Sequence, residues 1–199
     1  MARLEVITGP MFSGKSEELI RRINLCKYAE KSILVIKPGK DTRNIQTIAA
    51  RQKKRKDDKK FEIHAFVPAE TVNSADELGI FMRAYEPDIL VIDESQFFDS
   101  WLVDEIRKLL DANLTNNFTI IASGLNMNYR GEPFGPTPGL MAIAHEIQKF
   151  KAVCFKCKEY PPTAEMTYCR VEVPPDGVLV GDAEVYEARC RNCHSLPPE

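Results

Sequence analysis

The sequence predicts an α/β fold in which helices cover both faces of a parallel sheet, followed by a small cysteine-bearing module. Three observations lead there. Short runs of consecutive apolar residues recur along the first 150 positions, without the in–out alternation of a half-exposed strand. Segments with apolar residues at helical spacing separate those runs. After Phe150 the alternation gives way to cysteines, prolines and short strand-like pieces. The expected division is an α/β core at 1–150 and a second module at 151–199.

Residues 4–8, partly β-branched and bounded by Gly9-Pro10, read as the first buried strand. Residues 17–29 carry Leu19, Ile20, Ile23 and Cys26 on one helical stripe, which places Cys26 in the core. A second strand at 33–36 is closed by Pro38-Gly39, and 63–67 reads as a third. Ser74 and Glu77 have capping-box spacing at the start of a helix that runs to Tyr85 and stops before Pro87. Residues 89–92 and 118–122 are further buried strands, with an amphipathic helix at 101–112 between them. A last helix is predicted over 140–150. In the second module, 171–173 and 178–180 read as strand-like, and no internal repeat is visible.

A chain of 199 residues suffices for one well-buried domain and a small appendage. Its 44% hydrophobic and 28% charged residues are an ordinary globular balance. A formal net charge of -2 argues against a surface built throughout for nucleic acid. No apolar run reaches the ~18 residues of a membrane span, and the N-terminus enters a strand with no secretory h-region. A cytoplasmic location is expected, where six cysteines serve as metal ligands or bystanders rather than disulfides. The run at 51–60, RQKKRKDDKK, holds seven basic and two acidic residues. It reads as a solvated loop, with a patch contacting phosphate or nucleic acid as the alternative.

Gly9-Pro10-Met11-Phe12-Ser13-Gly14-Lys15-Ser16 fits G-x-x-x-x-G-K-[ST] without a mismatch, between a predicted strand and a predicted helix. This is a P-loop. Its glycines let the backbone wrap a phosphate, and the helix N-terminus adds partial positive charge. Lys15 would reach the β- and γ-phosphates of ATP, and the Ser16 hydroxyl would ligate Mg²⁺. Asp93, ending the apolar run at 89–92, supplies the second Mg²⁺ ligand. Glu94 follows and, on a strand-like backbone, would point to the opposite side, towards the reacting centre, as a proton acceptor. The core is therefore expected to be of the P-loop NTPase type.

Cys154-Phe155-Lys156-Cys157 and Cys190-Arg191-Asn192-Cys193 are two C-x₂-C knuckles. Four thiolates fill a tetrahedral zinc site and leave no open position, which makes the metal structural. A redox dithiol is the alternative, although one knuckle would suffice for it. His194 is a substitute ligand to consider, and Cys169 has no metal role.

Taken in order, GPMFSGKSEELIRR at 9–22, VIDESQFF at 91–98, SGLNMNYRGEPFG at 123–135 and AVC at 152–154 resemble the motifs of the cellular, zinc-containing thymidine kinase family over nearly the whole chain. The resemblance implies that Glu94 is the general base for the nucleoside 5′-hydroxyl. It sets Asp41, Thr42 and Arg43 beside the triphosphate, with Arg43 aiding catalysis, and adds Ser95 and Gln96 to the nucleotide site. Tyr129 would lie against the nucleoside. Gly177, Val178, Leu179, Val180 and Gly181, with Tyr186, match the lasso that closes over the base, its ends pinned by zinc. The family is typically homotetrameric, and no membrane or nucleic-acid partner is implied. Gly181-Asp182 stands where the family has Gly-Gly, 158–169 is longer and carries Pro161-Pro162, Asn126 replaces an aspartate and His145 a glutamate. These departures bear on the base accepted. The competing function is a P-loop ATPase that binds nucleic acid through 51–60 and uses Glu94 to polarise water.

Overall fold

In the computed structural model the described residues are 1–41, 46–52, 62–112, 117–171 and 181–196. The core sheet is built from β1 (Arg3–Thr8), β2 (Ile33–Lys37), β5 (Glu70–Thr71), β6 (Ile89–Ile92), β7 (Thr119–Gly124) and β8 (Glu146–Lys149). Its order is β5-β2-β6-β7-β1-β8, and every neighbouring pair is parallel. The non-alternating apolar runs have their explanation here, because the two faces of each central strand enter two different cores. Leu4, Val6, Leu34, Ile36, Leu90, Ile92, Ile120 and Ala122 pack on one side. Ile7, Val35, Ile89, Val91 and Ile121, the intervening residues, pack on the other.

The first core is closed by α2 (Ala75–Tyr85), α3 (Trp101–Asp111) and α4 (Thr137–Ile143). Leu102 and Ile106, one turn apart on α3, are fully buried there. The second core is closed by α1 (Lys15–Tyr28), through Leu19, Ile20 and Ile23. Cys26 is half-buried and packs against the edge of that cluster. The expected cap of α2 is present, with Ser74 Oγ accepting the Glu77 N–H at 3.2 Å. Glu77 reaches one residue further back than a capping box requires and accepts the Asn73 N–H at 2.7 Å.

Three readings are corrected. The region 140–150 is not one helix. α4 ends at Ile143, and 146–149 is a parallel strand on the open edge of β1. His145 makes the turn by donating its N–H to Leu4 O at 2.9 Å and accepting the Leu4 N–H on Nδ1 at 3.1 Å. Unpaired backbone along β1 outweighs the helical spacing of a few apolar residues. The strand expected at 63–67 is real but lies outside the main sheet, as β4 (Glu62–Pro68), antiparallel to β3 (Thr47–Gln52). This pair lies over the second core through Ile48 and Val67. The basic run is therefore not loop throughout, since Arg51 and Gln52 end β3, and 53–60 fall outside the described residues. In the C-terminal part the described strands are β9 (Met166–Cys169) and β10 (Tyr186–Arg189), an antiparallel pair. The pieces expected at 172–173 and 178–180 fall outside the described residues.

No helix among the described residues is long and apolar enough to cross a membrane. A charged cluster ties α1 to the sheet. Arg22 Nε meets Glu18 at 2.8 Å, its guanidinium pairs with Glu5, and its other amino group donates to Gln148 on β8 at 2.6 Å. The Arg21 side chain, with help from Arg22 and against some burial, lowers the Glu18 carboxyl to about 2. A carboxyl lowered in the folded state stabilises fully above its ordinary value of 4.5 and progressively less as pH falls towards 2. Glu18→Gln is accordingly expected to lower unfolding free energy by about 1 kcal/mol at pH 7. Urea titrations should show that difference shrinking below pH 4.5, and a difference independent of pH would refute this assignment.

Candidate active site

The carboxyl ends of parallel strands form the edge of an α/β sheet where ligands bind, and the motif residues gather there. Gly9 follows β1 with φ 148°, and a Cβ at this position would lie 2.6 Å from Phe150 O. Only glycine fits. Gly14, at φ 88°, caps α1 without a side-chain partner, so the first amides of the helix face the loop interior. Ser13 Oγ and Lys15 Nζ both donate to Pro10 O, at 2.8 and 2.7 Å. Ser16 lies half-buried in the first turn of α1.

Asp93 is buried immediately after β6, its N–H donated to Ile36 O at 3.0 Å. Glu94 departs from expectation. Its backbone is left-handed (φ 50°, ψ 43°) and opens a short 3₁₀ turn, Ser95–Phe97, instead of prolonging the strand. The carboxylate thus diverges from Asp93 by a backbone reversal, which costs a non-glycine residue about 1 kcal/mol. Gln96, buried, holds the result. Its Nε2 donates to Glu94 Oε2 while its Oε1 accepts the Leu125 N–H at 2.9 Å. Ser95 is buried as well, its Oγ 2.7 Å from Thr137 Oγ1. Gly135, with φ 55°, lets the next loop pass over Gln96, whose carbonyl would sit 2.0 Å from any Cβ there.

Asp41 is buried in the turn after β2, paired with Lys37 Nζ at 2.8 Å. Lys37 is itself only 2% exposed, and sequence reasoning missed it. A lysine closing an apolar strand has no sequence signal for burial. Thr42 and Arg43 fall outside the described residues.

Tyr129 is buried in a cluster with Cys169 and Tyr186, against which Met11, Phe12 and Val185 pack. Cys169 is therefore a core residue. Tyr129 OH accepts from Arg130 Nε at 2.9 Å, and its carbonyl lies 2.9 Å from His194 Nε2. Gly177, Val178, Leu179 and Val180 fall outside the described residues, whereas Gly181 packs so closely on Val185 that a Cβ would lie 2.6 Å from it. Asp182 has no positive φ and turns the chain by accepting the N–H groups of Val185 and Tyr186, both at 2.9 Å. The backbone there accommodates a side chain.

The ligand atoms of Cys154, Cys157, Cys190 and Cys193 lie within 4.8 Å of one another, with Cys157 and Cys190 sulfurs 3.9 Å apart. A tetrahedron with Zn–S bonds of ~2.3 Å has sulfurs about 3.8 Å apart. The donor set fits zinc. Burial pushes the Cys154 thiol up, but N–H groups of Cys157, Cys190 and Lys156 outweigh it and lower its pKa to about 6. The neighbouring Cys190 sulfur and burial hold Cys193 up at about 12. Such crowded thiols cannot all ionise without a cation between them. His194 is not a member of the group, its ring being engaged with Tyr129.

A loop of P-loop sequence between β1 and α1, with Asp93 and Glu94 following β6 at the same carboxyl edge of the sheet, is the layout of a P-loop nucleotide-binding protein. The chain belongs to the thymidine kinase family. The family model described as thymidine kinase matches residues 2–194. The thymidine kinases of three strains of Mesomycoplasma hyopneumoniae (7448, J and 232) are each 39% identical over 193 residues, covering 97% of this chain and 95% of theirs. Among solved structures, a replication initiator DnaA bound to AMPPCP and single-stranded DNA gives a TM-score of 0.41 at 11% identity, and a DNA replication initiation factor 0.39 at 11%. These matches cover 75% and 74% of this chain and 40% of each of those.

Proposed function

We propose that the chain transfers the γ-phosphoryl group of ATP to the 5′-hydroxyl of thymidine, with deoxyuridine as a second acceptor. The family match across 2–194 carries this reading. The 5′-oxygen attacks the γ-phosphorus, the bond to the β–γ bridging oxygen breaks, ADP leaves, and Glu94 takes the hydroxyl proton. The loop amides of Ser13–Ser16 and the Lys15 ammonium stabilise charge on the phosphates. Ser16 and Asp93 would hold Mg²⁺, which supplies further charge neutralisation when bound. Asp41, Thr42 and Arg43 border the triphosphate, with Arg43 opposing transition-state charge.

Glu94 is supported by Gln96, whose burial makes it and Ser95 positioning residues more than nucleotide contacts. Tyr129, Tyr186 and Gly177–Gly181 hold the nucleoside. The four cysteines hold zinc, which supplies folding free energy to the 151–199 module. A homotetramer in the cytoplasm completes the proposal. No observation favours the nucleic-acid-binding ATPase.

The test is ADP release by the wild type with thymidine, deoxycytidine or single-stranded DNA. Thymidine should stimulate release many-fold, with thymidine monophosphate as the matching product, because unaided water is a poorly held nucleophile. Stimulation by DNA alone, with no phosphorylated nucleoside, would overturn the reading.

A further inference from the structure

The cysteine module does more than face the nucleoside, because it touches the phosphate loop at two successive residues. The Met11 N–H donates to Thr167 Oγ1, on β9, at 3.1 Å. Phe12 lays its ring on Phe155, inside the first knuckle, with centroids 5.6 Å apart and planes tilted by 43°. Phe12 has a left-handed backbone, φ 63°, which a side chain with a Cβ adopts only at some cost. It packs into two small clusters, the one around Cys154 and Cys190 within the module and the one in which Tyr129 meets Cys169 and Tyr186.

Phe155 is in turn anchored. Its N–H donates to Ala188 O on β10 at 2.9 Å, and the Lys158 ammonium sits 4.6 Å from its ring centroid. Cys190, a member of the sulfur group, lies two residues beyond Ala188. An unbroken chain of contacts therefore runs from the sulfur group through Ala188 and Phe155 to Phe12, and so into the loop at 9–16.

We propose that Phe155 is a positioning residue for the phosphate loop, so that filling of the four-cysteine site and binding of ATP are thermodynamically coupled. The inference rests on the reading of the loop at 9–16 as the ATP site. Linkage makes the coupling reciprocal, so a filled cysteine site strengthens nucleotide binding and bound nucleotide strengthens metal retention by the same factor. An aromatic contact that fixes a strained loop residue is a physical carrier for it.

The experiment uses the full zinc-loaded chain without nucleoside, a non-hydrolysable ATP analogue, and the wild type beside Phe155→Ala and Phe155→Tyr. Phe155→Ala should retain its zinc by elemental analysis and bind the analogue about tenfold more weakly. Phe155→Tyr, which keeps the ring, should bind within about twofold of the wild type. In the wild type, saturating analogue should slow zinc transfer to a colorimetric chelator, and in Phe155→Ala that protection should vanish. Undiminished affinity in a zinc-retaining Phe155→Ala overturns the proposal. If Phe155→Ala cannot hold zinc, the wild-type chelator experiment decides, and absence of protection by the analogue overturns the coupling alone. A wild type that binds no analogue overturns the ATP-site reading, and this inference with it.

Discussion

Glu94→Gln is expected to lower thymidine phosphorylation by about 10²–10⁴-fold, roughly 3–5 kcal/mol of barrier, with ATP affinity nearly unchanged. The substitution is chosen for what it retains. A glutamine keeps an oxygen that can accept from Gln96 Nε2, so the left-handed turn at position 94 and its tether to Leu125 can persist. Asp93 and the loop at 9–16 are untouched. Only the capacity to take a proton is lost. Rates of thymidine monophosphate formation and binding of a non-hydrolysable ATP analogue should be measured side by side. Parallel loss of both would point to collapse of the turn, and a rate within a few-fold of the wild type would remove Glu94 from the chemistry.

The second large effect is expected at Cys190. Structural zinc sites contribute apparent binding energies of about 10–16 kcal/mol to small modules, so a missing thiolate affects far more than one contact. Cys190→Ser should drop the metal content from about one zinc per chain to a small fraction of that. The β9–β10 pair should loosen with it, because Cys190 directly follows β10. Thymidine-dependent turnover should fall steeply, since Tyr186 lies on the same strand. Cys26→Ser is the control, its thiol lying at the edge of the second core, and it should keep its metal. Full zinc and full turnover in Cys190→Ser would exclude the four-sulfur site.

The parts of the molecule legible in the sequence are those whose signal is local. The run at 89–92 names a buried strand because all four of its residues are apolar, and β6 is buried along its whole length. Gly9, by its crowding against Phe150, and Gly14, by its left-handed backbone, mark the phosphate loop because neither position admits much else. The knuckles carry their own spacing.

The rest was hidden because it depends on partners far along the chain. Residues 146–149 are exposed, and it is the vacant edge of β1 that makes them a strand. Burial of Lys37 follows from its pairing with Asp41 as the chain turns after β2, which no strand pattern announces. The reversal at Glu94 was misread because a carboxylate after a strand looks extended, whereas Gln96 and the turn pull it back. The knuckle spacing says nothing of Phe155, whose meaning comes from its contact with Phe12, far away in sequence.

The place of β1 in the sheet has a consequence for how the chain is made. β1 is synthesised before the other strands of its sheet, yet both its neighbours come late, with Arg3 opposite Thr119 on β7 and Glu5 opposite Glu146 on β8. Until residue 149 has left the ribosome, one edge of this apolar strand stays open, and the loop that follows it lacks the Phe150 carbonyl that abuts Gly9. Parallel pairing at such separation is slow, because loop closure precedes the contacts that reward it. At synthesis rates of about 5–20 residues per second, LEVIT would wait several seconds in a nascent chain, a window in which an unpaired apolar strand invites holdase chaperones.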